Sequence, residues 1–393
     1  MENNVYVGID VAKNDHYACI TNADGTVAAK SFKVTNDQTG FTTLVKSVAD
    51  FAPESLLFGL ESTSIYGENL IAFLYGSGYR VAVINPMLTA NKRKIQNRSS
   101  TKTDKIDAKI ICDYLRTEDY RLLKPNEVEM MQVRGLCRFR MKLRKQKARL
   151  KTQLTGFIDQ GFPELPTMFG IHGKAAYALL TLHSSPEDIS GLNLTYLSNL
   201  LSKRSRGHFW KNTARDLKAL AKSSVGARNA VLHIQITQTI SQIELLESQL
   251  AELDAQIENA MDALDSVIKS VPGIGNINGA MILSEIGDIS RFATDSQLCR
   301  FAGLNPVIRQ SGKWSASRTR MSKQGSSYLR YALINAAWNV SQNDATFRDY
   351  YDLKVSQGRG HYAALGHVAH KLIRVLFKLL KTDSLFDPIK LAA

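Results

Sequence analysis

The chain has 393 residues, with 50 Lys and Arg against 36 Asp and Glu, a formal net charge of +14 and a pI near 9.5. That length holds two or three domains with ample core. The charge points to a polyanionic partner, most commonly nucleic acid, although a ribosome-associated or membrane-surface protein shares such a balance. No run reaches the roughly 18 apolar residues of a membrane span, and no basic segment precedes an apolar stretch at the start, so a soluble cytoplasmic protein is expected. Cys19, Cys112, Cys137 and Cys299 are far apart and form no C-x-x-C pair, which argues against a zinc site or a disulfide framework and fits a reducing compartment.

The first 120 residues alternate between strand and helix patterns. Residues 5–10, 16–22 and 27–34 read as three strands, the last two joined by a hairpin turn at Asp24-Gly25. A helix over 38–50, a strand at 56–61, a helix at 66–76 and a strand at 80–84 follow, the last ended by Asn85-Pro86. A three-strand meander followed by alternating helices and strands is the order of a ribonuclease H-like fold.

The middle is helical. Leu136, Leu143, Leu150 and Phe157 recur at heptad spacing, as do Ile236, Ile243, Leu250, Ile257 and Leu264. Such a period predicts coiled-coil packing, of these helices against each other or against a second subunit; two long helices of one bundle is the plainer reading. Residues 160–225 are poorly patterned and rich in Ser, Gly and Pro, an inserted helical lobe. The first heptad helix carries Arg134, Arg138, Arg140, Lys142, Arg144, Lys145, Lys147, Arg149 and Lys151 with no acid among them, which suits phosphate-backbone binding better than a mixed-sign solvated surface. The second is acidic (Glu244, Glu247, Glu252, Asp254, Glu258), as if one helix faced nucleic acid and the other protein or solvent.

From residue 269 the pattern changes again. Val271-Pro272-Gly273-Ile274-Gly275 before an apolar helix suggests a helix-hairpin-helix in which Gly273 and Gly275 offer backbone N–H groups to a phosphate; an ordinary tight turn reads the same way. Residues 305–323 read as an irregular or hairpin segment, followed by helices near 325–342, 345–356 and 361–381. Arg309, Lys313, Arg318, Arg320, Lys323 and Arg330 surround Gln310-Ser311-Gly312, cations that could hold a scissile phosphate beside a serine hydroxyl. On residue types alone most Ser-Gly pairs are turns, and Ser315 and Ser317 compete. His367 and His370 lack a third metal ligand at suitable spacing and are read as packing residues, as are Trp314 and Trp338. Tyr66 lacks the Arg-His-Arg set of a tyrosine recombinase. The domains expected are 1–125, α/β and catalytic; 126–268, coiled coil with the insert; and 269–393, mostly helical.

Four acids stand where folding gives them no reason to be. Asp10 closes Val5-Tyr6-Val7-Gly8-Ile9, Glu61 closes Leu56-Leu57-Phe58-Gly59-Leu60, and Asp104 and Asp107 lie three apart on one probable helix face. Surface or capping carboxylates would explain any one of them. As a set in a basic protein they suggest a cage for hard divalent cations acting on phosphodiesters.

Asp10 in Gly8-Ile9-Asp10-Val11-Ala12-Lys13, Glu61 in Leu60-Glu61-Ser62-Thr63, and Thr101-Lys102-Thr103-Asp104-Lys105-Ile106-Asp107-Ala108 resemble the DEDD motif of bacterial insertion-sequence transposases of the type-110 family, with the type-1111 group and the Piv DNA invertases. Phe301-Ala302-Gly303-Leu304-Asn305-Pro306, Arg309-Gln310-Ser311-Gly312-Lys313 and Ser322-Lys323-Gln324-Gly325 resemble that family's second domain. The resemblance implies a RuvC-like N-terminal domain whose DEDD acids bind Mg²⁺, with Mn²⁺ as the alternative ion. It also implies a catalytic serine at Ser311, donor and target DNA paired by a noncoding bridge RNA, and homodimers assembling into a homotetramer. The expected activity is cutting and rejoining of DNA through a phosphoserine. A RuvC-like nuclease of branched DNA and a noncatalytic nucleic-acid scaffold are the alternatives.

Overall fold

The computed structural model describes residues 4–61, 65–84, 86–96, 103–226, 229–307, 310–311, 314–315 and 320–389. The chain divides into two compact units, Met1–Met131 with Gly287–Ala293, and Gln132–Ile286 with Thr294–Ala393.

The first unit is built on β1 (Val5–Asp10), β2 (Asp15–Thr21), β3 (Val27–Thr35), β4 (Leu56–Glu61) and β5 (Arg80–Ile84), in the order β3-β2-β1-β4-β5. β1, β2 and β3 pair antiparallel, while β1–β4 and β4–β5 pair parallel. This mixed five-strand sheet is consistent with the ribonuclease H-like expectation. β1 and β4 are nearly unbroken apolar runs because both faces are covered. Val7, Ile9, Phe58 and Leu60 face a core shared with residues of α1 (Gln38–Lys46) and α2 (Glu68–Gly76). Tyr6 and Leu57 face the other way, onto Ala108, Ile111, Cys112 and Leu115 of α4 (Asp104–Thr117), which α3 (Pro86–Gln96) precedes. α1 ends at Lys46, short of the expected 50, its Ser47 N–H closing back on Thr43 O. The segment 287–293 joins this unit through Asp288, which accepts from Lys124 at 2.7 Å.

The second unit is helical. α5 (Pro125–Gly161), which begins in the first unit, and α10 (Ala230–Ala263) run antiparallel: Arg140 meets Asp254 and Lys147 meets Glu247. Leu143 is buried among Leu246, Leu250 and Leu253, with Leu136 and Leu150 alongside. The heptads therefore seat two helices of one chain against each other. The insert forms α6 (Lys174–Leu182), α7 (Pro186–Gly191), α8 (Leu194–Arg204) and α9 (Lys211–Lys222), packed on the far ends of the pair around Leu154, Ile158, Ile236 and Ile240. Ser185 caps α7 and Asn193 caps α8, a use of Ser and Asn that a periodicity reading misses.

Among the described residues the rest comprises α11 (Asn276–Ile286), α12 (Asp295–Phe301), four two-residue strands and the helices α13 (Ser327–Asn343), α14 (Ala345–Ser356) and α15 (His361–Thr382). The short strands pair as β6 (Pro306–Val307) with β9 (Arg320–Met321), and β7 (Gln310–Ser311) with β8 (Trp314–Ser315). No helix among the described residues is long and apolar enough to cross a membrane.

Candidate active site

Parallel pairing sets Ile9 beside Leu60, so the next residues, Asp10 and Glu61, end neighbouring strands about 4.8 Å apart. Side chains alternate along a strand, and both acids share the face of Gly8 and Gly59, the face under α4. α4 lies directly on the sheet there. A Cβ on Gly8 would come within 2.3 Å of Ala108 O, and Gly8 N donates to Cys112 Sγ at 3.0 Å. Ala108 is the residue after Asp107, so this close approach draws Asp107 toward the strand ends.

α3 completes the edge. Thr89 Oγ1 donates to Glu61 Oε1, and Arg93, one helical turn later, pairs with Asp107 at 2.7 Å. The Asp107 side chain is only 4 % exposed, and Arg93 sets a positive charge beside it. Asp104 stands exposed in the first turn of α4, behind the cap that Thr103 makes to Ile106 N. Asp10 and Glu61 thus end neighbouring strands, α3 contacts both Glu61 and Asp107, and Asp104 stands toward solvent. Among the described residues no three Asp, Glu, His or Cys side chains close into a metal cluster. The donor set is nonetheless all oxygen, the ligand type of a hard divalent ion.

The basic face of α5 divides into two sets. Arg134 Nε donates to Ser284 O at 2.7 Å, and Arg138 grips the buried Glu285 with bonds of 2.6 and 3.0 Å. Arg140 pairs with Asp254 through two nitrogens, and Lys147 with Glu247. Asp254 and Glu247 of α10 thus face α5, while Glu244, Glu252 and Glu258 are exposed, so this helix faces protein and solvent as expected, and part of the α5 basic set is taken up by protein partners. Lys142, Arg144, Lys145 and Arg149 are exposed and Lys151 is half-buried.

In the C-terminal segment, Ser311 pairs with Trp314 in register, so the serine sits at the end of a two-residue ladder. The base of this segment is fastened: Ser322 Oγ donates to Asn305 Oδ1 at 2.6 Å, and Arg330 donates to Ala302 O at 3.0 Å. Arg309, Lys313 and Arg318 lie outside the described residues, as do the side chains of Ser311, Trp314 and Ser315. Arg320 and Lys323 are exposed, Lys323 with φ +55°. Gly273 has φ +90°, and a Cβ on it would meet the Asn339 carbonyl at 2.7 Å, so packing against α13 alone requires glycine there. Gly275 has open space where a Cβ would stand. The element before this turn is a single 3₁₀ turn, Val267–Ser270, shorter than the first helix of the expected motif. His370 packs on Leu304 O at 2.9 Å.

Residues 7–163 match the model of the DEDD_Tnp_IS110 transposase family, and residues 265–352 that of the transposase IS116/IS110/IS902 family. The chain belongs to the IS110/IS116 transposase family. This transposase is 26% identical to the insertion element IS116 44.8 kDa protein of Streptomyces clavuligerus, over 98% of this chain and 96% of that one. It is 27% identical to the insertion element IS900 42 kDa protein of Mycobacterium paratuberculosis (98% and 97% covered) and 24% identical to the pilin gene-inverting protein of Moraxella bovis (97% of each). Transposases act on DNA, and the DEDD family generally depends on divalent metal ions.

Sequence reasoning missed Thr89 and Arg93 of the transposase. Their i, i+4 spacing on a helix that follows β5 was a readable signal, but nothing in the sequence says which acids that face meets.

Proposed function

We infer that this transposase cuts and rejoins DNA through a serine–phosphate ester assisted by its acidic edge. The observation that carries this reading is the parallel β1–β4 pair, which delivers Asp10 and Glu61 side by side onto the face where α4 brings Asp107. That sheet supports assignment as a RuvC-like domain. A divalent cation, Mg²⁺ or Mn²⁺, held by Asp10, Glu61 and Asp107 with Asp104 at the rim would offset charge on the scissile phosphate and on the attacking and leaving oxygens. Ser311 Oγ attacks the phosphorus and gives up its proton to solvent; the P–O bond to the 3′-oxygen breaks, and that oxygen takes a proton from solvent and leaves as a hydroxyl. The ester keeps the bond energy for rejoining. Lys142, Arg144, Lys145, Lys151 and Arg149 on α5, with Arg320 and Lys323, and with Arg309, Lys313 and Arg318, carry phosphate contacts that position DNA or RNA without reading sequence.

Sequence choice is delegated to a bridge RNA that pairs with donor and target DNA. The high exposed positive charge and the family membership support this reading; sequencing RNA that co-purifies with the protein tests it, and absence of a structured transcript from DNA flanking the gene would point to protein-only recognition. For the chemistry, Ser311→Ala should yield no covalent protein–DNA adduct under denaturing conditions while DNA retention stays within about twofold of wild type. Adducts that persist reject the serine; cutting without adducts in the wild type indicates hydrolysis instead.

A further inference from the structure

Two side chains of α3 touch the acidic edge and have no part in the reaction described above. Thr89 is 1% exposed, donates to Glu61 Oε1, and also contacts Pro86 O at 3.0 Å. It pins one carboxylate oxygen of Glu61. Arg93 is different in kind. Elsewhere in this chain arginine holds buried carboxylates with two parallel bonds, Arg138 on Glu285 and Arg121 on Glu127, the geometry expected of a permanent structural pair. Arg93 meets Asp107 through Nη2 at 2.7 Å, while its Nε is buried without a partner among the described residues. Its grip is partial, and the carboxylate it covers belongs to the proposed ligand set.

We propose that Arg93 is the resident counter-ion of the metal-free acidic edge: it balances Asp107 until a divalent cation arrives, and it must leave Asp107 for the cation to bind. This rests on the metal-binding reading of the acids. Like charges at one carboxylate exclude each other, so the guanidinium and the metal compete. A buried carboxylate short of positive charge is costly, and Arg93 supplies one such charge at this edge.

The test uses the full chain freed of metal, with Mn²⁺ as the probe, followed by the paramagnetic resonance of free Mn²⁺ and by thermal melting in chelator and in Mg²⁺. Arg93→Met should melt about 5 °C below wild type in chelator, recover most of that difference in Mg²⁺, and bind Mn²⁺ on the order of tenfold more tightly. Arg93→Lys, a single point charge in place of the fork, should bind Mn²⁺ with intermediate affinity; it serves as the deciding variant if Arg93→Met does not fold. Wild-type or weaker Mn²⁺ affinity in whichever variant folds overturns the counter-ion role, provided the wild type binds and Asp107→Asn does not. If the wild type itself takes up no Mn²⁺, the metal reading fails and this inference with it.

Discussion

Gly8 lies where the backbone of α4 rests on the sheet, with Ala108 O 2.3 Å and Cys112 N 2.6 Å from the place of a Cβ. Neither neighbour is the far end of a flexible side chain. Gly8→Ala is therefore expected to cost about 1–3 kcal/mol, the range for overpacking, measured by urea denaturation, and to weaken Mn²⁺ binding by shifting Asp107. Wild-type stability would mean that α4 can slide on the sheet. A second residue-scale prediction concerns acid. Burial pushes the Asp288 carboxyl up, but the hydrogen bonds from Lys124 and Ser290 outweigh it and hold the group at about 2, below its ordinary 3.8. A depressed carboxylate contributes stability that is present above pH 3.8 and lost as pH falls toward 2. Asp288→Asn should thus lower the melting temperature at pH 7 and converge with wild type near pH 2; a difference that stays constant from neutral to acid rejects the linkage.

At the scale of elements, the α5–α10 pair shows why a one-sign helix need not be a nucleic-acid surface throughout. Two of its cations meet acids on α10, a third meets Glu285 of α11, and a fourth binds a backbone carbonyl. Glu285 is 3 % exposed but Arg138 40 %, so Arg138→Ala leaves a buried carboxylate that keeps the Ser326 hydroxyl at 2.7 Å and should destabilise the fold by about 1–3 kcal/mol. Neutralising Lys142, Arg144, Lys145 and Arg149 should leave melting almost unchanged and instead flatten the salt dependence of DNA or RNA affinity, by about one unit of log–log slope for each phosphate no longer neutralised. Salt titrations of both variants separate these sets; an unchanged slope would remove α5 from the nucleic-acid surface. In the seam, Leu143→Ala should cost about 2–5 kcal/mol because Leu246, Leu250 and Leu253 enclose it.

For the whole molecule, the acids lie in one compact unit and Ser311 in the other. The proposed chemistry would need them at one phosphate, whether supplied by one chain or by two chains of the expected homodimer and homotetramer. Mixing Asp10→Asn chains with Ser311→Ala chains decides between these: activity regained in the mixture means that complete sites form from two subunits, and none means that each chain must supply both halves. Much of this layout was legible beforehand. The strand ends at Asp10 and Glu61 followed from apolar runs stopping at an acid, and α14 begins and ends at the expected residues. The end of α1 and the short 3₁₀ turn before Gly273 were not, being set by local backbone closure that an apolar period does not register, and the partners of the α5 cations were not because they lie on remote segments.

Local pattern determined the strands of the first unit and the long helices, which of their residues face inward, and that four acids stand out as folding residues; Ser311 stood out only through the family resemblance. The pattern could do so because side-chain periodicity and turn chemistry are properties of neighbouring residues. Only the tertiary structure decided that the two heptad helices pair within one chain, that Arg138 and Arg140 are committed to acids, and that Arg93 sits on Asp107. Those outcomes are set by the competition of charges and surfaces far apart in sequence, and a buried carboxylate takes whichever cation the fold places nearest.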